Sequence, residues 1–201
     1  MPERVSKGMG GATAALDLDA ELMLRVKEGD GASFGVLLDK HRSSVVHFLY
    51  RMVQNHAVAE ELAQEVFLRV YRSRSTYEPT AKFTTWLFRI ATHLALNSLR
   101  DGKNERLQER LDDDSNDMPV RQVRDVRPSV EQSMVYQARL HEVRQAIRAL
   151  PEKQRAAVLM HKYEEMEYSQ IARVLNCSES AVKSLLFRAY ETLRARLAHM
   201  A

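Results

Sequence analysis

Cysteine is almost missing from this chain of 201 residues: Cys177 stands alone, so no internal disulfide can form. A fold built without covalent cross-links fits a reducing compartment, and a cytoplasmic location is expected. No apolar run approaches the roughly 20 residues of a membrane span. The N-terminus, MPERVSKGMGGATAALDLD, has no signal-peptide core and reads as a disordered tail, residues 1–18. No phosphate-binding loop or nucleotide fingerprint is present, and the histidines lack zinc-ligand spacing. An enzyme is therefore not expected, and neither is a cofactor or a bound metal. Strand-like alternation is missing too, which leaves an all-α fold. The net charge is only +3, so composition does not demand a nucleic-acid partner.

What is present is sorted along the chain. Hydrophobic residues make up 45% and charged residues 28%, the balance of a globular protein. Residues 82–100 hold Lys82, Arg89 and Arg100 and no acid, whereas residues 112–117 read Asp-Asp-Asp-Ser-Asn-Asp. A basic surface and an acidic connector follow. Asp101–Val130 has no sustained period and carries Pro119 and Pro128, so it reads as a flexible linker between two independently packed helical domains, 19–100 and 131–201.

In the first domain, Asp19–Glu28 is an amphipathic helix with Asp19 as its expected cap. Ala32–Val53 follows, and Asn55-His56 breaks the pattern. Ala57–Arg72 turns Ala63, Val66, Phe67 and Val70 inward. Its outward stripe is Glu61, Gln64, Glu65 and Leu68: charge to orient a basic partner and a leucine to bury. A plain solvated face would look the same. After a loop at Ser73–Lys82, the helix Phe83–Arg100 opens on aromatics and holds the single tryptophan, Trp86. Thr84, Thr85, Arg89, His93 and Asn97 offer hydroxyls, a cation, an imidazole and an amide around that aromatic surface. Aromatics and cations without acids suit unstacked bases and their backbone. At least two of Phe83, Trp86 and Phe88 are expected in the core.

In the second domain, a helix over Glu131–Leu150 precedes one that has Pro151 in its first turn and runs to about Tyr163. Tyr168–Arg196 then reads as two helices broken at Asn176-Cys177-Ser178. The break lacks glycine, so Asn176 must supply any left-handed conformation, and Ser178 can cap the second helix. That helix buries Val182, Leu186, Ala189, Leu193 and Leu197. Its opposite stripe is Ser180, Lys183, Ser184, Phe187, Arg188 and Glu191: cations for phosphate or guanine, hydroxyls, and an aromatic for a thymine methyl. Such a helix propped by a shorter one is the helix-turn-helix arrangement; an ordinary helical hairpin shares the spacing.

Together, LMLRVKEGDGASFGVLLDKH, AEELAQEVFLRVY, FTTWLFRIATHLALNSLR and the stretch from LPEKQRAAVLMHKY to the end of the second helix resemble, in order, an extracytoplasmic-function (ECF) sigma factor of the sigma-70 type. The resemblance implies that Glu61, Gln64, Glu65 and Leu68 dock on core RNA polymerase. It implies that Lys82 and Phe83 to Asn97, with Tyr77 in the preceding loop, melt and read the −10 element, while Lys183, Ser184, Phe187 and Arg188 read the −35 element. Promoter DNA and an anti-sigma factor are the implied partners of a protein that is monomeric when free, with no small-molecule substrate and no membrane insertion. The family often has asparagine where this chain has His93, and arginine at Leu185, Tyr190 and His161. It also has acidic residues where His56-Ala57-Val58 stands here. A conventional repressor with the same helix-turn-helix is the main rival. It would need a dimer interface or effector pocket and has no use for the aromatic helix. A helical interaction protein that binds no DNA is the third reading.

Overall fold

A computed structural model describes residues 17–106 and 130–200. Most of the expected tail (residues 1–16) and of the expected linker (residues 107–129) lies outside the described residues. Among those described there are eight α-helices and no strand, as the all-α reading requires.

Helix α1 (Leu18–Lys27) is capped by Asp17, not Asp19: Asp17 has the extended backbone of a cap, and its Oδ1 accepts the Ala20 N–H at 2.6 Å. Asp19 lies two residues further in, already helical and buried, where it takes Lys40 Nζ at 2.6 Å and His41 Nε2 at 2.9 Å. Helix α2 (Gly31–Val53) starts on Asp30, whose carboxylate accepts from the Ala32 and Ser33 N–H groups. It ends at Gln54 in the left-handed conformation. Asn55 caps α3 (His56–Arg72) by accepting from Val58 N–H, so the predicted break is a cap followed at once by helix. A single 3-10 turn, Arg74–Thr76, leads to α4 (Phe83–Arg106), which continues past the expected end at Arg100. Phe48 of α2 meets Phe88 of α4 edge-on at 5.2 Å in the first core.

The second half comprises α5 (Val130–Arg148), α6 (Glu152–Tyr163), α7 (Tyr168–Leu175) and α8 (Glu179–Leu197). Pro151 caps α6 from just outside it, instead of lying in its first turn. Ile171, Ala172 and Val174 of α7 and Val182, Leu186 and Ala189 of α8 are buried, while Leu193 is partly buried against the core. Asn176 takes the left-handed conformation (φ 50°, ψ 55°) between α7 and α8. A short polar side chain tolerates this where a branched one would not. Ser178 then accepts the Ala181 N–H at 3.1 Å.

In this structure the two helical halves lie against each other. Helix α7 packs on α4, and α5 and α6 pack on α2. The buried apolar residues of both halves form one continuous cluster. Periodicity identifies the apolar side of each helix but not its partner, and here part of that side is covered by the other half of the chain.

Candidate nucleic-acid interface

The α8 stripe is where the sequence puts it. Ser180, Lys183, Ser184, Phe187, Arg188 and Glu191 are all exposed, and Phe187 shows 68% of its surface to solvent. A large apolar ring so exposed, flanked by two cations, calls for a partner. Ser178 and the free N–H groups of the first turn place the positive end of the helix beside Lys183. Two members of the stripe are partly engaged. Ser184 donates its hydroxyl proton to the Ser180 carbonyl at 3.1 Å, which leaves its oxygen as an acceptor. Glu191 pairs with Arg194.

The aromatic start of α4 is built differently. Lys82, Arg89 and His93 are exposed, with Thr84, Trp86 and Asn97 half-buried. Arg89, His93 and Asn97 follow at four-residue intervals and so share one side of the helix. Tyr77, Phe83 and Thr85, however, are buried and face protein instead of solvent. Phe83 sits between Tyr77 (ring centroids 6.4 Å apart), Trp86 (5.9 Å) and His41 (5.4 Å), and Trp86 lies 4.9 Å from Tyr77. The cause lies partly in α1: Asp17, while capping α1, also accepts the Phe83 N–H with its second oxygen at 3.2 Å. One carboxylate thus satisfies orphan donors at two helix starts. Lys27 donates to the Tyr77 carbonyl at 3.0 Å and holds the loop down. Burial, with Asp17 and Asp19 nearby, pushes the Tyr77 hydroxyl up to about 12. Burial also lowers His41 against the pull of Asp19, which favours a neutral ring in the aromatic cluster. Sequence reasoning missed Asp17, Lys27 and His41; the contacts from Asp17 and Lys27 span 66 and 50 residues, and nothing local signals them.

On α3, Glu61 and Gln64 are exposed, as is Leu68 at 48%. Glu65 is half-covered, because Arg69 Nε donates to it at 2.7 Å along the helix. Gln64 and Leu68 border an open apolar groove of about 490 Å³ that Phe34 and Leu38 of α2 and Phe67 and Tyr71 of α3 complete. The Phe34 and Tyr71 rings meet tilted at 59° with centroids 5.1 Å apart, and the Arg74 guanidinium covers the Tyr71 ring at 4.1 Å. Phe34, Leu38 and Tyr71 were not anticipated as part of this face. Tyr71 lies three residues past Leu68 on the same side of the helix, a signal available from spacing.

Among the described residues no cluster of His, Cys, Asp and Glu is arranged to hold a metal ion, and no helix is long and apolar enough to cross a membrane.

Two family models match the chain, sigma-70 region 2 over residues 37–105 and sigma-70 region 4 over residues 140–193. The RNA polymerase sigma-H factor of Pseudomonas aeruginosa is 30% identical over 87% of this chain and 91% of its own length. The ECF RNA polymerase sigma factor SigW of Bacillus subtilis is 31% identical over 86% and 93%. Among solved structures, CnrH in complex with the cytosolic domain of CnrY aligns at a TM-score of 0.67 with 19% identity, covering 91% of this chain and 99% of that one. The sigma factor RpoE of Bartonella quintana, in complex with the anti-sigma factor NepR, aligns at 0.64 with 18% identity, covering 82% and 96%. These two likenesses are likenesses of fold.

Proposed function

Because this chain belongs to the ECF RNA polymerase sigma factors of the sigma-70 type, we propose that it binds core RNA polymerase and directs promoter-specific initiation by reading −10 and −35 elements. The observation that carries this is the presence on one chain of two unlike faces: an exposed helix-turn-helix stripe on α8 and an aromatic-led, acid-free start on α4. A dimeric repressor has no use for the second. The stripe Lys183, Ser184, Phe187 and Arg188 reads the −35 duplex. Lys82, Thr84, Trp86, Arg89, His93 and Asn97 meet the unpaired −10 strand. Tyr77, Phe83 and Thr85 support them from beneath in this conformation. Glu61, Gln64, Glu65 and Leu68 dock on polymerase, with the neighbouring groove receiving an apolar side chain of the same partner. The protein acts in the cytoplasm, is monomeric when free and is not an enzyme. Control by an anti-sigma factor is part of this reading; the Bartonella quintana RpoE is seen in complex with the anti-sigma factor NepR.

The test is run-off transcription with purified core enzyme. A specific transcript that requires this chain supports the reading, and Glu61→Lys should lower it by weakening core binding. Tight binding to a promoter duplex without core enzyme, and no transcript with it, would favour the repressor.

A further inference from the structure

Helix α1 and its cap lie ahead of residues 37–105, the stretch that matches sigma-70 region 2. Both ends of α1 nevertheless engage the segment that leads into α4. At its start, Asp17 accepts the Ala20 N–H with Oδ1 at 2.6 Å and the Phe83 N–H with Oδ2 at 3.2 Å. At its end, Lys27 donates to the Tyr77 carbonyl at 3.0 Å. Tyr77 and Phe83 are the two ends of one loop, which leaves the 3-10 turn at Tyr77 and enters α4 at Phe83. A helix of ten residues is a rigid rod about 15 Å long, so α1 fixes the span of that loop from both sides. Asp19 adds a third link: its Oδ2 lies 2.9 Å from His41 Nε2, and the His41 ring meets Phe83 with centroids 5.4 Å apart. Met23 and Val26 bury α1 in the first core, so these links start from a fixed body. Across the seam between the two halves, Gln170 of α7 donates to the Thr85 hydroxyl at 3.3 Å; the α1 links lie wholly within the first half.

We propose that α1 positions the −10 face, with Asp17 and Lys27 as positioning residues that touch no DNA themselves; the consequence for the strand rests on the function proposed above. Lys82, Thr84 and Trp86 stand in, or just after, the loop that these two residues span. Trp86 lies 4.9 Å from Tyr77 and 5.9 Å from Phe83, so its ring follows either end of the loop. A surface for unpaired bases binds best when its shape is set beforehand, because ordering it on binding costs affinity. Asp17 suits the role: a carboxylate has two acceptor oxygens and serves two helix starts at once, whereas an asparagine amide has one. The α8 stripe is backed by Val182, Leu186 and Ala189 of its own helix, so −35 reading should not depend on α1.

The experiment compares Asp17→Asn and Lys27→Met with the parent as full chains, free and as holoenzyme with core RNA polymerase. Asparagine is as good a helix cap as aspartate. Its single oxygen serves only one of the two N–H groups, so the link from α1 to α4 is broken whichever it keeps. Methionine keeps the aliphatic length of Lys27 and removes the donor. Circular dichroism should show parental helix content in both; if Asp17→Asn loses helix, Lys27→Met alone decides. Trp86, the single tryptophan, reports the site directly. Its emission in the free variants should move to longer wavelength, with stronger quenching by acrylamide. On a promoter that the parent holoenzyme transcribes, both variant holoenzymes should bind a fluorescent single strand of its −10 sequence more weakly, Asp17→Asn by about tenfold. Binding to the −35 duplex should stay parental. Parental Trp86 emission and parental strand affinity in the folded variants overturn the proposal. So does an equal loss of −35 and −10 binding, which would mark a general loss of structure. Altered Trp86 emission with no transcript from the parent on any promoter would leave α1 as the element that shapes this face and remove the promoter reading.

Discussion

Helices α4 and α8 carry the two faces proposed to touch promoter DNA, and the fold presents them in opposite ways. The α8 stripe stands in solvent, backed by a core of Val182, Leu186 and Ala189. The start of α4 is held from several sides: by Asp17 at its first N–H, by Lys27 on the loop before it, by the Tyr77–Phe83–Trp86 cluster beneath, and by Gln170 across the seam. A helix that reads an intact duplex can be a rigid ridge, because the major groove is already open to it. A surface for unpaired bases must be shaped before the bases arrive, so its aromatics are fixed by packing rather than left exposed. The same residue types therefore sit in the core of one face and on the outside of the other.

The sharpest way to break this contrast is to truncate one aromatic from each face. Phe83→Ala should destabilise the protein by about 3–5 kcal/mol, because the ring is fully buried among His41, Tyr77 and Trp86. Phe187→Ala should leave stability within about 0.5 kcal/mol, since its ring packs on nothing that must be refilled. Thermal unfolding of the two variants decides it; equal losses would mean that the α8 face is structural.

Within the exposed stripe, positioning and reading should separate. Lys183 lies nearer the helix start, which should carry it deeper into a major groove than Arg188. Lys183→Ala is expected to flatten preference at one −35 position by about 1–3 kcal/mol. Arg188, with its forked guanidinium, should hold phosphate, so that Arg188→Ala weakens all −35 variants alike and lowers the log–log salt slope by about 0.9. Holoenzyme binding to single-base −35 variants at several salt concentrations distinguishes the two. The reverse pattern exchanges their roles, and silence from both takes α8 out of the groove.

On the α4 face, His93 is exposed and shares a side with Arg89 and Asn97. An imidazole cannot offer the paired donor and acceptor of an asparagine amide to one base edge. His93→Asn should re-rank −10 variants in a promoter library and leave −35 ranking untouched; an identical ranking would make His93 structural.

The smallest effect tests the seam itself. Burial raises the Glu164 carboxyl from 4.5 to about 7, against the opposing pull of Arg51. A raised acid favours the protonated form in the fold, so its contribution is fully present below the unfolded value and is lost as pH rises through the folded one. Glu164→Gln should therefore be more stable than the parent near about pH 8 and equal to it near about pH 4. Melting curves that run parallel at both pH values would place Glu164 in solvent.

The sequence by itself determined the all-α class, the order of the helices, the Asn176 turn with its Ser178 cap and the exposed α8 stripe. These depend on interactions within a few residues of one another: helical periodicity, a cap three positions away, a polar side chain tolerant of left-handed backbone. Only the tertiary structure decided which α4 residues face water, that Asp17 and not Asp19 caps α1, that Phe34, Leu38 and Tyr71 complete the groove beside Leu68, and that the two halves share one core. Each of those depends on a partner far along the chain, from Asp17 to Phe83 or from Met52 to Arg155. A helix's apolar stripe states that something must cover it, and which segment does so is settled only when the whole chain packs.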